Sequence, residues 1–272
     1  MASQQDQPKI TLHWLEVSRA HRILWLFEEL GISYKVDGSL YPFCTPTLDR
    51  NLKTYKRLPT KWADPALKNV HPLGKSPVVT IEVPGQVEPL VLAESGAITE
   101  YLCDYFGKDT GLVPKRYKDG QEGKIGQETE TWLRYRFFMH YAEGSIMPWN
   151  VFALILEGVE SAPVPFFIKP IVNTIVGRVR SAAVTPQFET HYQFIDSQLK
   201  TSPNGGQYLC GPDLTPADIL MSFPLEAGHK RSGQGDWFPS ISAYLDRLHA
   251  REAYQRAVKK VEEIEGSFKT NL

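Results

Sequence analysis

Cysteine is scarce in this chain. Cys44, Cys103 and Cys210 are spread over 272 residues, with no Cys-x-x-Cys pair and no zinc-type spacing. That argues against a disulfide framework, a dithiol motif and a structural zinc site, and a reducing cytoplasm is the simplest home. An excess of either charge is also missing, since 30 Lys and Arg against 31 Asp and Glu leave a formal net charge of −1. Nothing in that balance points to nucleic acid or to an acidic surface partner. The opening MASQQDQPK is polar and lacks the apolar core of a signal peptide. Long apolar runs are absent too. The most apolar later stretch, Ala162 to Gly177, is broken by Pro163, Pro165, Lys169, Pro170 and Asn173, whereas a bilayer span needs about 20 predominantly apolar residues. No transmembrane segment is expected, and Ala162 to Lys169, although apolar and Pro-rich enough to touch a membrane surface, reads first as a packed loop.

What is present alternates between two periods. Ile10, Leu12 and Trp14 alternate with polar neighbours, the period of a half-buried strand. From Ser18 the period turns helical, with Ala20, Ile23, Leu24, Phe27 and Leu30 on one face and Gly31 as the stop. Tyr34 to Val36 reads as a second strand, and strand–helix–strand in so short a stretch implies a parallel, right-handed crossover. Residues 37–54, with Pro42, Pro46 and scattered aromatics, do not fit this plan and read as an insertion. After Gly107, the Gly- and Lys-rich stretch 108–126 reads as a linker, and 127–272 as helical. Trp132, Tyr135, Arg136, Met139 and Glu143 mark one long helix that Pro148 is expected to end or kink. Phe188, Tyr192, Ile195 and Leu199 mark another. Thr215-Pro216-Ala217-Asp218 is a capping signal, with Thr215 at the cap, Pro216 at the first helical position and Asp218 reaching back.

The stretch that organises the chain is His71 to Leu102. It reads as a loop ending in Ser76-Pro77, a strand over Val78 to Ile81, and a strand over Leu90 to Ala93. A helix then opens at Glu94-Ser95. Pro77 donates no ladder bond, which leaves the Ser76 backbone available to a peptide-like ligand. The amides at the helix start, with the Ser95 hydroxyl, suit a carboxylate, and Glu94 suits an ammonium beside it. Each feature alone is also an ordinary strand start or N-cap.

Five strings occur in order: LHWLEVSRAHRILWLFEELGI, HPLGKSPVV, AESGAITEYL, HYAEGSIMPW and LTPADILMSFP. Together they resemble the glutathione S-transferases, in particular a serine-type subgroup common in fungi with bacterial relatives. The resemblance implies an α/β thioredoxin-like N-terminal domain (9–107, order βαβ-ββα) followed by an all-α C-terminal domain. It also implies a homodimer, glutathione as co-substrate, and no metal. It implies a cis Ser76–Pro77 bond, and a 37–54 insertion beside the glutathione site. The expected activity is conjugation of the glutathione thiolate to hydrophobic electrophiles, as in detoxification. Glutathione peroxidase activity uses the same thiolate. The alternative is a non-catalytic glutathione- or ligand-binding scaffold of the same fold.

Residue roles follow from the same resemblance. A thiol of pKa ~8.5 becomes mostly thiolate at neutral pH only after a shift of about two units, or roughly 2.7 kcal/mol. A hydroxyl donating to the sulfur supplies ~1.5–3 kcal/mol and a helix N-terminus ~0.3–1 kcal/mol. Ser18 at the start of the first helix is therefore the expected activator, although it also suits a plain N-cap. Arg19 beside it could hold the thiolate or the glycyl carboxylate. The tyrosine used by other members corresponds most nearly to Trp14, which has no hydroxyl, and no cysteine stands at the helix start for disulfide chemistry. Ser76 would meet the cysteinyl peptide unit through its backbone. Glu94 and Ser95 would take the γ-glutamyl ammonium and carboxylate. Lys75 would take the glycyl carboxylate, with His71, a turn residue before Pro72, a weaker candidate. Trp14, Tyr135, Met139 and Trp149 are the candidate walls of the second-substrate pocket.

Overall fold

A computed structural model describes residues 8–37, 55–58, 63–231 and 238–268. Most of the 37–54 insertion, including Cys44, lies outside the described residues. The chain forms two compact units. One comprises residues 1–111 together with 249–272, the other residues 112–248.

The first unit is built on four strands: β1 (Lys9–His13), β2 (Tyr34–Asp37), β3 (Val78–Glu82) and β4 (Leu90–Ala93). Their order across the sheet is β2-β1-β3-β4, with β1 and β2 parallel and the other two pairs antiparallel. The crossover helix α1 (Ala20–Leu30) links β1 to β2, and α2 (Ser95–Phe106) follows β4. This is the βαβ-ββα thioredoxin-like order that the sequence predicts. Gly31 ends α1 in the left-handed conformation at φ 63, its N–H donating to the Phe27 carbonyl.

Almost all of α1 is buried, including its charged Arg22. A helix covered on every side needs a third neighbour besides sheet and α2, and the far end of the chain supplies it. Helix α9 (Glu252–Glu265) packs along α1. Arg251, just before α9, forks onto Glu29 at 2.6 and 2.8 Å, and Arg256 reaches Glu28 at 2.7 Å. Trp25 meets Tyr254 edge-on at 5.0 Å. The sequence division, with everything after residue 126 in one helical half, does not show this return of the C-terminus to the first unit.

The second unit is built from α3 (Glu130–Tyr141), α4 (Met147–Ser161), α5 (Lys169–Val179), α6 (Thr185–Lys200), α7 (Pro216–Arg231) and α8 (Pro239–His249), the last ending at the unit boundary. Pro148 does not end the long helix. A π-helical stretch, Ala142–Ile146, joins α3 to α4, and Pro148 occupies the second position of α4. The wider turn relieves the clash between the proline ring and the preceding carbonyls. The same device recurs between α5 and α6, where a π stretch at Arg180–Val184 precedes Pro186.

The capping signal before α7 is realised in a deeper form. Buried Asp218 accepts from the Thr215 amide and hydroxyl at 2.8 and 2.7 Å, the Leu209 amide at 3.0 Å and the Tyr244 hydroxyl at 2.9 Å. Ala162 to Lys169, by contrast, is not a packed loop. Phe166 and Phe167 are 88% and 65% exposed.

Candidate active site

The sheet register assembles the candidate residues of the first unit. His13, the last residue of β1, pairs with Val78 at the start of β3, and Val78 pairs with Ala93 at the end of β4. One row across the sheet therefore delivers three segments to the same edge: the loop carrying Ser18, the turn carrying Ser76, and the start of α2 carrying Glu94 and Ser95. Segments up to 77 positions apart in sequence leave the sheet at the same end because two antiparallel pairings share a register.

Ser18 is buried and fully engaged. Its hydroxyl donates to the Leu15 carbonyl at 2.7 Å and accepts from the Ala20 amide at 3.1 Å. A hydroxyl has one proton, so donating to a sulfur requires giving up Leu15. Arg19, half-buried, occupies the N-cap position of α1.

The loop before Ser18 is strained and braced. Val17 sits at φ 43, a conformation that a β-branched side chain strongly disfavours. Residues 55–57 hold it in place. The Tyr55 amide donates to the Trp14 carbonyl at 3.0 Å. Arg57 donates through its amide to the Glu16 carboxylate at 2.9 Å, and through its guanidinium to the carbonyls of Glu16 at 3.2 Å and Val17 at 3.0 Å. Burial, and to a lesser extent the nearby charge of Arg19, lowers the Arg57 pKa, with Glu16 opposing. Two guanidinium groups thus flank the loop where an anionic sulfur is expected.

Ser76 precedes a cis bond to Pro77, and its hydroxyl donates to the His13 carbonyl at 3.2 Å, tying the turn to the end of β1. Glu94 is exposed, at φ 69 and ψ 117, and its carbonyl accepts the Ile98 amide at 2.9 Å to open α2. Ser95 is 4% exposed, and its Oγ accepts from the Arg22 guanidinium at 3.1 Å. A cationic donor on the oxygen strengthens the hydroxyl as a donor to a ligand carboxylate. Lys75 is exposed in the same loop. His71 closes the turn, with its amide on the Leu67 carbonyl at 3.0 Å and its carbonyl accepting from Gly74 at 2.8 Å.

Residues 18–104 match the family described as the glutathione S-transferase N-terminal domain. Glutathione S-transferase 1 of Saccharomyces cerevisiae is 28% identical over 96% of this chain and 99% of its own length. A solved glutathione S-transferase from Actinobacillus pleuropneumoniae is 28% identical, covers 93% of each chain and superposes with a TM-score of 0.63. A glutathione transferase homologue from Lodderomyces elongisporus, solved with two glutathione molecules per subunit, is 18% identical, covers 92% of this chain and 97% of its own, and has a TM-score of 0.62. Residues 18–104 thus match the N-terminal domain of the glutathione S-transferases, and nearly the whole chain is similar to proteins of that name.

The four residues expected to wall a second-substrate pocket are split between the units. Trp14, in the first, is 2% exposed, and its indole N–H donates to Glu265 on α9. Tyr135 and Met139, in the second, are each 4% exposed on α3, and half-buried Trp149 on α4 meets Phe152 edge-on at 6.3 Å. Cys103 and Cys210 are buried thiols. Burial pushes Cys103 up to about 12 and Cys210 well above the usual thiol range, so neither is a ready nucleophile. Among the described residues no group of His, Cys, Asp and Glu could hold a metal ion.

Sequence reasoning missed Arg22 and Arg57. Arg22 lies inside the first family-like string, but a lone helical arginine gives no sign of being buried. Arg57 acts across about forty residues of chain, and no local pattern announces such a contact.

Proposed function

We propose that this protein binds glutathione at the sheet edge of its first unit, activates the thiol there, and conjugates it to a hydrophobic electrophile. The observation that carries the reading is the shared row His13, Val78 and Ala93, which brings the three predicted binding segments to one edge. In this reading the γ-glutamyl carboxylate sits at the start of α2 and accepts from Ser95, whose oxygen is polarised by Arg22. Glu94 meets the ammonium, the Ser76 backbone pairs with the cysteinyl peptide unit, and Lys75 meets the glycyl carboxylate. Ser18, with Arg19 beside it, faces the sulfur. The thiolate attacks the electrophilic carbon, a C–S bond forms, and the leaving group departs with its electron pair. With a hydroperoxide the thiolate instead attacks oxygen, the O–O bond breaks and the alcohol leaves. The glutathione sulfenic acid then condenses with a second glutathione to give the disulfide and water.

The geometry of Ser18 changes the energetics. A bond to a charged sulfur is worth ~1.5–3 kcal/mol, but the neutral bond to Leu15 that it replaces is worth ~0.5–1.5 kcal/mol. The net gain then spans about 0–2.5 kcal/mol, and its midpoint is roughly half of the 2.7 kcal/mol that a two-unit shift requires. The start of α1 adds ~0.3–1 kcal/mol, and the remainder falls to the arginines flanking the loop.

The bond from Ser18 to Leu15 also favours the second reading, a non-catalytic binder of the same fold. Turnover separates them. The conjugating reading expects glutathione binding together with product formation on a panel of aryl halides, enones and organic hydroperoxides. Binding without turnover on every member supports the scaffold. A homodimer and a cytoplasmic location complete the proposal, with 9–107 and the returning C-terminus as the glutathione-binding unit and 108–126 as the linker. The helices up to residue 248 form the helical unit, carrying Tyr135, Met139 and Trp149 as candidate second-substrate contacts.

A further inference from the structure

We infer that the hairpin formed by α4 and α5 docks on an anionic lipid surface, its connecting loop dipping into the interface. No described helix is long and apolar enough to cross a membrane, so the contact is peripheral. Phe166 and Phe167 stand side by side at the turn, 88% and 65% exposed, with their rings edge-to-face at 5.6 Å. The apolar surface continues down both helices, through Ile155 and Val159 on α4 (55% and 45% exposed) and Ile171 and Ile175 on α5 (60% and 57%). Six large apolar side chains this exposed on one helical hairpin are unusual on a solvated surface and mark an interaction site.

Charge and shape select the occupant. From Ser161 to Phe188 the chain carries no Asp or Glu, only Lys169, Arg178 and Arg180. The Lys169 ammonium is drawn onto the carbonyls of Glu160 and Ala162, which keeps the one charge of the tip close to backbone. Arg180 pairs with the Glu160 carboxylate at 2.9 Å, and Arg178 is exposed below the apolar tip. Glu157 and Glu160 on α4 leave residues 147–188 with a net charge of +1, and with Arg180 paired to Glu160 the exposed cation is Arg178. An apolar tip with that cation behind it complements hydrocarbon beneath anionic headgroups. At 1.5 Å per residue, Lys169 to Ile175 spans about 9 Å, within the ~5–10 Å depth that interfacial helices reach. Pro163, Pro165 and Pro170 restrict the unbound backbone and lower the entropy lost on docking.

The test is vesicle flotation of the full chain with pure phosphatidylcholine and with phosphatidylcholine containing phosphatidylserine. Recovery with the serine-containing vesicles, weakened by salt, is expected. Phe166→Ser with Phe167→Ser should lower the partition coefficient ten-fold or more. Arg178→Glu should lower it at least about five-fold on the anionic vesicles only, since each basic side chain near the surface contributes about that factor. Independently, Phe166→Trp should shift its emission to the blue when those vesicles are added. Absence of flotation, flotation indifferent to the Phe substitutions, or a tryptophan emission that does not move would overturn the inference. So would a dimer that the double Phe substitution converts to monomer, because a second copy would then cover the patch.

Discussion

The fully buried guanidinium of Arg22 donates to Ser95 Oγ at 3.1 Å. This bond joins the first turn of α1 to the first residue of α2 and places a positive charge beneath the expected carboxylate site. Arg22→Met keeps the volume roughly constant and removes the charge and the donor. Glutathione affinity should fall about ten-fold, equivalent to ~1.4 kcal/mol, as measured by calorimetric titration. Unchanged affinity would show that Ser95 needs no support from below.

Arg57 is predicted to be a positioning residue for the Ser18 loop. Its guanidinium bonds to the Glu16 and Val17 carbonyls hold Val17 at φ 43. Arg57→Ala should lower kcat/KM about ten-fold or more and raise the pKa of bound glutathione. Arg57→Lys should rescue little, because a lysine cannot reproduce the planar fork. A purely structural role would lower Tm and leave that pKa unmoved.

Arg251 fastens α9 to the first unit. The Glu29 side chain is 7% exposed and accepts from Arg251 and from the Trp25 indole at 2.9 Å. Arg251→Ala leaves that carboxylate buried with one partner fewer, and should destabilise the unit by about 2–3 kcal/mol. Paired with Glu29→Gln in a double-mutant cycle monitored by denaturant unfolding, it should show a coupling of about 1 kcal/mol or more. Strict additivity would contradict the ion pair.

His191 gives the second unit a pH dependence of definite sign. Its Nδ1 meets the Tyr141 hydroxyl, and burial lowers its pKa from 6.5. The folded state therefore prefers the neutral ring, while the unfolded chain takes up a proton near 6.5. The contribution is fully present above that pH and is lost as pH falls through and below it. Thermal melts should show stability declining below pH 6.5, with a shallower decline in His191→Gln. An equally steep decline in the variant would assign the effect to other groups.

Local pattern carried much of this architecture. The alternation of Ile10, Leu12 and Trp14 located β1, Gly31 stopped α1 where expected, and Leu90 to Ala93 is β4 as read. Ser76 and Ser95 were legible because each belongs to a short motif with its own chemistry. The helical period of 252–265 names an apolar face but not the surface it covers, so the docking of α9 on α1 was invisible. Pro148 was expected to end or kink its helix, but the π turn that accommodates it leaves no compositional mark. Arg57 and the Leu15 bond of Ser18 depend on the path of a loop, which no periodicity encodes.

The central claim is thiol activation at the edge where Ser18 lies. Its most direct test is titration of the ultraviolet thiolate absorbance of glutathione bound to the wild type and to Ser18→Ala. Bound glutathione should titrate about two units below free glutathione, with Ser18→Ala reversing roughly half of the shift, about one unit, and Arg57→Ala reversing part of the rest. A wild-type pKa equal to that of free glutathione would contradict the account and leave the non-catalytic scaffold.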